Sequence, residues 1–298
     1  MTLWGSTFVV TKDVMAAFPP LTLAFIRVAI GSALLLPLAI VRRRRAAAGA
    51  SLPRSLPWGT LISMGLVGVA CYYFLFNLSL LYISASQGAL VQSSIPAMTA
   101  LVAVLWLGER ASGKRIVGIV LSVVGVLIVF AGDKPGAAHA SIGGLDGKWL
   151  GNLLMFASVF AWGVYTSLAK RVANLDQVVV TGCITAIGAL LLLPGAMYEL
   201  AGRELPRLTL AGVLEILYLG AFASGLAYLL YNQALKDMDA SQAGVFANLI
   251  PVIGVITGIV FLGEPLSLWA ICGGLVVMLG VWVTGSERPA TAAAVQSA

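Results

Sequence analysis

The sequence predicts an all-α integral membrane protein of ten transmembrane helices, built as two inverted five-helix repeats around a central cavity. Three observations predict it. Hydrophobic residues make up 60% of the 298 and charged residues only 10%, whereas a soluble domain carries about 25% charged residues. Mean hydropathy is +0.98, and the apolar residues fall in ten long unbroken stretches. Long stretches point to helices rather than to alternating strands, because lipid leaves the backbone to satisfy its own polar groups. Finally, the chain repeats itself at a spacing of roughly 155 to 158 residues. An odd number of segments per copy sends the second copy into the membrane from the opposite side, the plan of many secondary transporters.

The ten segments are approximately 2–17, 20–41, 57–82, 85–107 and 114–131, then 149–171, 177–198, 209–235, 240–262 and 267–284. Segments 1 and 6 share Trp4-Gly5 with Lys12, and Trp162-Gly163 with Lys170. Segment 1 is the shorter of the two. Trp162 is preceded by a long apolar run from Lys148-Trp149-Leu150, Trp4 by three residues only. An upstream turn or two is therefore expected. Segments 2 and 7 share Ala29–Pro37 (AIGSALLLP) and Ala186–Pro194 (AIGALLLLP). Segments 3 and 8 share Tyr73 and Asn77 with Tyr228 and Asn232. Segments 4 and 9 share Ala-Ser-Gln at 85–87 and 240–242, then Pro96 and Pro251. Gly108-Glu109 and Gly263-Glu264-Pro265 follow, glycine suiting a helix C-cap and the acid the next helix's first turn. Gly118, Ser122 and Gly125 on segment 5, with Gly273 and Gly280 on segment 10, form small-residue stripes suited to close helix packing.

The organisation that follows is a first repeat over 1–131, a periplasmic connecting loop over 132–148 and a second repeat over 149–285. A disordered cytoplasmic tail over 286–298 completes it. The loop holds the lone histidine, His139, read as a solvated residue. Orientation follows from the basic residues. If both termini share one side, that side receives twelve Lys and Arg, the other five, and Arg27 lies within segment 2. Short basic loops stay cytoplasmic, so both termini are expected inside.

The net charge of +6 collects in these loops and is no signal for nucleic acid. Cys71, Cys183 and Cys272 lie in apolar segments without metal-ligand spacing. No cofactor is expected. Enzymatic function is not expected either: hydrolysis in the membrane needs a nucleophile with a base, or a metal, and the sole His139 sits in a loop.

The candidate substrate-binding residues are Trp4, Phe8, Tyr73, Asn77, Gln92, Ser93, Trp162, Tyr165, Tyr228, Tyr231 and Asn248, with Pro96 and Pro251 as hinges. Each proline removes a backbone donor and clashes with the carbonyl four residues earlier, so segments 4 and 9 should kink. Carbonyls freed at membrane depth are tolerated only against protein or a wet cavity, and Gln92, Ser93 and Asn248 stand just before the kinks. Tyr73 with Asn77, and Tyr228 with Asn232, share one helix face, offering an aromatic wall with an amide; Phe76 and Tyr231 add bulk. The amides suit helix tying as well as ligand contact. Trp162 is mid-segment beside a glycine, and Trp4 follows it through the repeat. Lys12, Lys170, Arg27 and Glu215 are read as structural: the lysines complement helix dipoles, while Arg27 and Glu215 snorkel to the interface.

In the W-G start of each half, the A-S-Q-then-Pro segments and the G-E junctions, the chain resembles the drug/metabolite transporter superfamily in its ten-helix EamA-type branch. The resemblance covers roughly residues 1 to 285. It implies a basket of inverted repeats in a bacterial inner membrane, exporting small metabolites. Within that branch the aromatic candidates point to YddG-like exporters of aromatic and neutral amino acids. The expected partners are a small-molecule substrate and the lipid bilayer, with no nucleic acid and no partner subunit, since one copy holds both halves. Two other readings stand beside it: export of another small amphipathic metabolite or drug, and a membrane scaffold that transports nothing.

Overall fold

The computed structural model describes residues 1–48, 56–107, 112–131, 147–201, 209–237 and 249–285. Most of the connecting loop and the tail from 286 onward lie outside the described residues, as do Asn248 and Gly108-Glu109.

Among the described residues ten helical elements follow one another: α1 (Thr2–Val14), α2 (Pro20–Ala48), α3 (Trp58–Leu80), α4 (Ala85–Trp106) and α5 (Gly113–Ala131), then α6 (Gly147–Arg171), α7 (Gln177–Leu200), α8 (Leu210–Lys236), α9 (Leu249–Leu262) and α10 (Leu268–Gly285). No strand occurs among the described residues. Eight of these, all but α1 and α9, are long and apolar enough to cross a membrane. The described parts of α1 and α9 have 13 and 14 residues. Outward faces are apolar and exposed, as lipid-facing surfaces should be: Leu105, Trp106, Leu190, Phe261 and Trp282 are examples.

Packing follows the repeat. The most extensive contacts join equivalent helices of the two halves, α2 with α7 and α5 with α10. Around them α1 lies on α9 and α6 on α4, while α2 lies on α8 and α7 on α3. Glycines make the closest approaches. A Cβ on Gly125 would stand 2.6 Å from the Val277 nitrogen, and one on Gly280 would stand 2.6 Å from the Gly118 carbonyl. In lipid, where tails are as apolar as leucine, such backbone-to-backbone contact is what holds helices together.

The middles of α3 and α8 are π-helical, over Gly65–Cys71 and Tyr218–Leu226. Hydrophobic spacing along the sequence does not mark these turns. π-turns are rare and cluster at functional sites, and here both halves carry one at the matching place. Segment 4 breaks at Ser93-Ser94, where each hydroxyl bonds back three residues, to the carbonyls of Leu90 and Val91. The helix resumes at Ile95-Pro96, so the missing proline N–H falls in a first turn that has no use for it.

One junction differs from its expected role. Gly263, at φ 63°, closes α9 as a left-handed C-cap should. Glu264 does not serve its own helix, α10. Its carboxylate reaches into the other half and accepts from the Ala85 and Ser86 nitrogens at 2.7 and 2.8 Å and from the Ser86 hydroxyl at 2.7 Å. It thereby caps α4. Lys12 joins this cluster rather than the end of α1: Nζ donates to the Ile83 carbonyl at 2.7 Å and stands 3.7 Å from Glu264. The acid is drawn there because the bare N–H groups and positive dipole end of α4 attract it.

Candidate functional site

The two halves meet at an aromatic cluster. Trp4 comes from α1, Tyr72 and Tyr73 from α3, Trp162 from α6, and Tyr228 and Tyr231 from α8. Trp4 meets Trp162 edge-on at 5.2 Å between ring centroids, Trp162 meets Tyr228 at 5.3 Å, and Tyr72 meets Trp162 at 5.1 Å. Trp4 also lies 5.3 Å from Tyr231. These are the offset and edge-on geometries that aromatic pairs favour.

Each polar end is tied. The Trp4 indole N–H donates to the Ala223 carbonyl at 3.0 Å, in the π-turn of α8, and the Tyr228 hydroxyl donates to the Gly68 carbonyl at 2.9 Å, in the π-turn of α3. A π-turn leaves carbonyls off the regular ladder, and these two rings collect them. Tyr231 shares a 3.0 Å hydrogen bond with Thr166, and Gln92 Nε2 donates to the Tyr72 hydroxyl at 3.0 Å.

Beside this cluster lies a narrow cavity of about 30 Å³, bounded by Trp4, Thr7, Tyr72, Tyr73, Phe76, Gln92, Pro96, Thr99, Trp162, Tyr228, Tyr231 and Arg27 among others. Both halves contribute. Its side-chain lining is apolar, mostly rings, punctuated by a few hydroxyls, one amide and one cationic side chain, a mixture that small-molecule sites share.

Of the expected binding residues, Trp4, Tyr73, Gln92, Trp162, Tyr228 and Tyr231 line the cavity, as does Pro96. Four do not. Phe8 is 1% exposed and packs on Phe76 at 5.2 Å. The Ser93 hydroxyl is spent on its own helix. Asn77 donates to the Pro20 carbonyl at 2.8 Å, tying α3 to the start of α2. Tyr165 leans away and donates to Asn232 Oδ1 at 2.7 Å. Pro251 is buried in α9 without lining the cavity.

Arg27 is the principal residue misplaced by sequence reasoning. It does not snorkel. It is 1% exposed, with Nε donating to the Ser224 hydroxyl at 3.0 Å, Nη1 to the Thr11 hydroxyl at 3.1 Å, and its guanidinium carbon 4.4 Å from the Tyr73 ring centroid. Its depth from the segment end suggested escape to the interface; what holds it inside is hydroxyls on α1 and α8, which no local pattern reveals. Tyr72 was overlooked for the simpler reason that its mate in the other half, Ala227, is not aromatic.

Comparison with known proteins decides the family. The sequence profile of the EamA-like transporter family matches residues 1–131 and again 149–286, one match per half. The chain belongs to the EamA-like transporter family. It is a multi-pass membrane protein of a transporter family. An uncharacterized transporter of Archaeoglobus fulgidus is 28% identical over 295 residues, covering 97% of this chain and 96% of its own. The uncharacterized transporter YyaM of Bacillus subtilis is 27% identical, covering 93% and 88%. The uncharacterized protein PA1977 of Pseudomonas aeruginosa is 30% identical over 221 residues, 72% of each chain. A crystal structure superposes with a TM-score of 0.65 at 22% identity, covering 95% of this chain and 93% of that one, which supports the same fold.

Proposed function

We propose that this EamA-family transporter exports small, partly apolar, zwitterionic metabolites, aromatic and neutral amino acids foremost, across a bacterial inner membrane. Both termini face the cytoplasm in this reading, and one copy of the chain suffices. The observation that carries it is the cavity between the halves, walled by Trp4, Trp162, Tyr228 and Tyr231 and edged by Gln92, Thr7 and Thr99. Ring faces suit an apolar or aromatic side chain, while the amide and hydroxyls suit the polar end.

Alternating access fits the packing. Trp4 and Tyr228 each bond the opposing half's π-turn or helix backbone, so a rocking of one half against the other exchanges these contacts together. The rings press on one another, so cargo enters only as they part.

The test is efflux from proteoliposomes holding the full chain and loaded with radiolabelled phenylalanine, threonine or methionine, at two pH values. Protein-dependent efflux of at least one is expected. No protein-dependent flux of any of the three overturns the amino-acid reading, and flux independent of an imposed pH gradient marks facilitated movement rather than proton exchange.

A further inference from the structure

Arg27 is a buried charged group with no ion-pair partner among the described residues. An arginine keeps its proton at any pH a cell experiences, and a buried charge is normally paired. Among the described residues the ion pairs are Lys12–Glu264 and Arg42–Asp176; Arg27 has only the hydroxyls of Thr11 and Ser224 and the face of Tyr73. Nη2 makes no hydrogen bond among the described residues, and the side chain lines the cavity.

The repeat supplies an internal control. In register with Ala29–Pro37 and Ala186–Pro194, Arg27 matches Ile184. Thr11, beside Lys12, matches Ala169, and Ser224 matches Val69. All three counterparts are buried, Ile184 at 0%, Ala169 at 3% and Val69 at 1% exposed. The place is thus filled once by an apolar trio and, at its repeat-related counterpart, by a cation with two supporting hydroxyls, each trio drawing on both halves. The fold is built without a charge there once, so packing does not call for one the second time.

We propose that Arg27 is the carboxylate anchor of the cavity, holding the anionic end of the cargo and selecting carboxylates over amines. Ser224 and Thr11 fix the guanidinium by Nε and Nη1 and leave Nη2 for the ligand, and planar guanidinium donors match a carboxylate's two oxygens. Tyr73 shares its hydroxyl with Ser224 at 3.1 Å and so orients the support. No acid among the described residues lines the cavity, so a cationic cargo meets repulsion and no counter-charge. This inference rests on reading the cavity as the cargo site. It narrows that cargo to molecules with a carboxylate and argues against cationic drugs.

The experiment uses the purified full chain in nanodiscs and three probes with one ring in common: 3-phenylpropionate, phenylalanine and phenethylamine. Binding is read from tryptophan fluorescence, since Trp4 and Trp162 wall the cavity. The wild type is expected to bind the two carboxylates at least about tenfold more tightly than the amine. Arg27→Gln is expected to abolish that preference and Arg27→Lys to keep part of it. Equal binding of phenethylamine and 3-phenylpropionate by the wild type overturns the assignment whatever the variants do. So does an Arg27→Gln protein, monodisperse and thermally stable, that still prefers the carboxylates, or displacement of 3-phenylpropionate by equimolar sulfate, which marks a site for any anion. Carboxylate-selective binding without amino-acid efflux leaves the anchor standing and removes the export reading. Efflux without selective binding does the reverse.

Discussion

Asn77 and Asn232 occupy matching places in the two halves, yet only one is fully bonded. Asn232 accepts from the Tyr165 hydroxyl at 2.7 Å and donates to Thr181 at 3.1 Å. Asn77 donates to Pro20, but its Oδ1 is buried without a partner among the described residues. The cause lies in the helix opposite. Where the second half has Tyr165, the first has Thr7, whose hydroxyl turns back to the Trp4 carbonyl at 2.7 Å. The difference spreads further. Tyr165 presses on α3 so closely that a Cβ on Gly68 would stand 2.5 Å from its Cγ; the mate of Gly68 is Ala223, and the mate of Tyr165 is the shorter Thr7. The lesson is that the duplicated scaffold has kept its helix ties while each half has adjusted the neighbours around them.

Four tests, two of them matched pairs of substitutions, sharpen or break this comparison, the largest effect first. Gly68→Ala has to displace Tyr165 near its root, and a loss of about 3 kcal/mol is expected, read as thermal unfolding in detergent; Ala223→Gly should cost no more than about 1 kcal/mol. Equal losses at the two positions would break the claim that Tyr165 sets the difference. Glu264→Gln weakens a charge-assisted cap on two nitrogens and a hydroxyl, and about 2 kcal/mol should be lost. The same change at Glu109, its repeat mate, then reveals by thermal unfolding whether the second half uses the same cap. Tyr165→Phe strands Asn232 Oδ1 as Asn77 Oδ1 already is, and should lower stability by about 1.5 kcal/mol. Smallest is Asp176→Asn. It keeps the cap on Val178 and loses an exposed pair with Arg42 at 3.3 Å, for a change within about 0.5 kcal/mol.

The all-helical class, the order of ten segments and the correspondence of segments between the two copies were legible because apolar run length and repetition report them directly. So were the aromatic members of the cavity wall, since both copies carry Trp and Tyr at matching places. What escaped was whatever breaks the symmetry or lives between halves. Arg27 has an isoleucine for a mate, so repetition could not single it out. Glu264 reads locally as an N-terminal acid of α10 and finds its partner on α4 only in three dimensions. The π-turns escaped for a third reason: widening a turn by one residue leaves hydrophobicity along the chain unchanged.

The reach of Glu264 also has a consequence in time. Its partner Ser86 lies 178 residues earlier in the chain. At a ribosome's pace of about 5–20 residues per second, the first half waits roughly ten to thirty-five seconds in the membrane before that carboxylate is even made. Until then Ser84 caps the Gln87 nitrogen, but the Ala85 and Ser86 nitrogens have no carboxylate to answer them, so the cap of α4 is finished well after the helix is inserted.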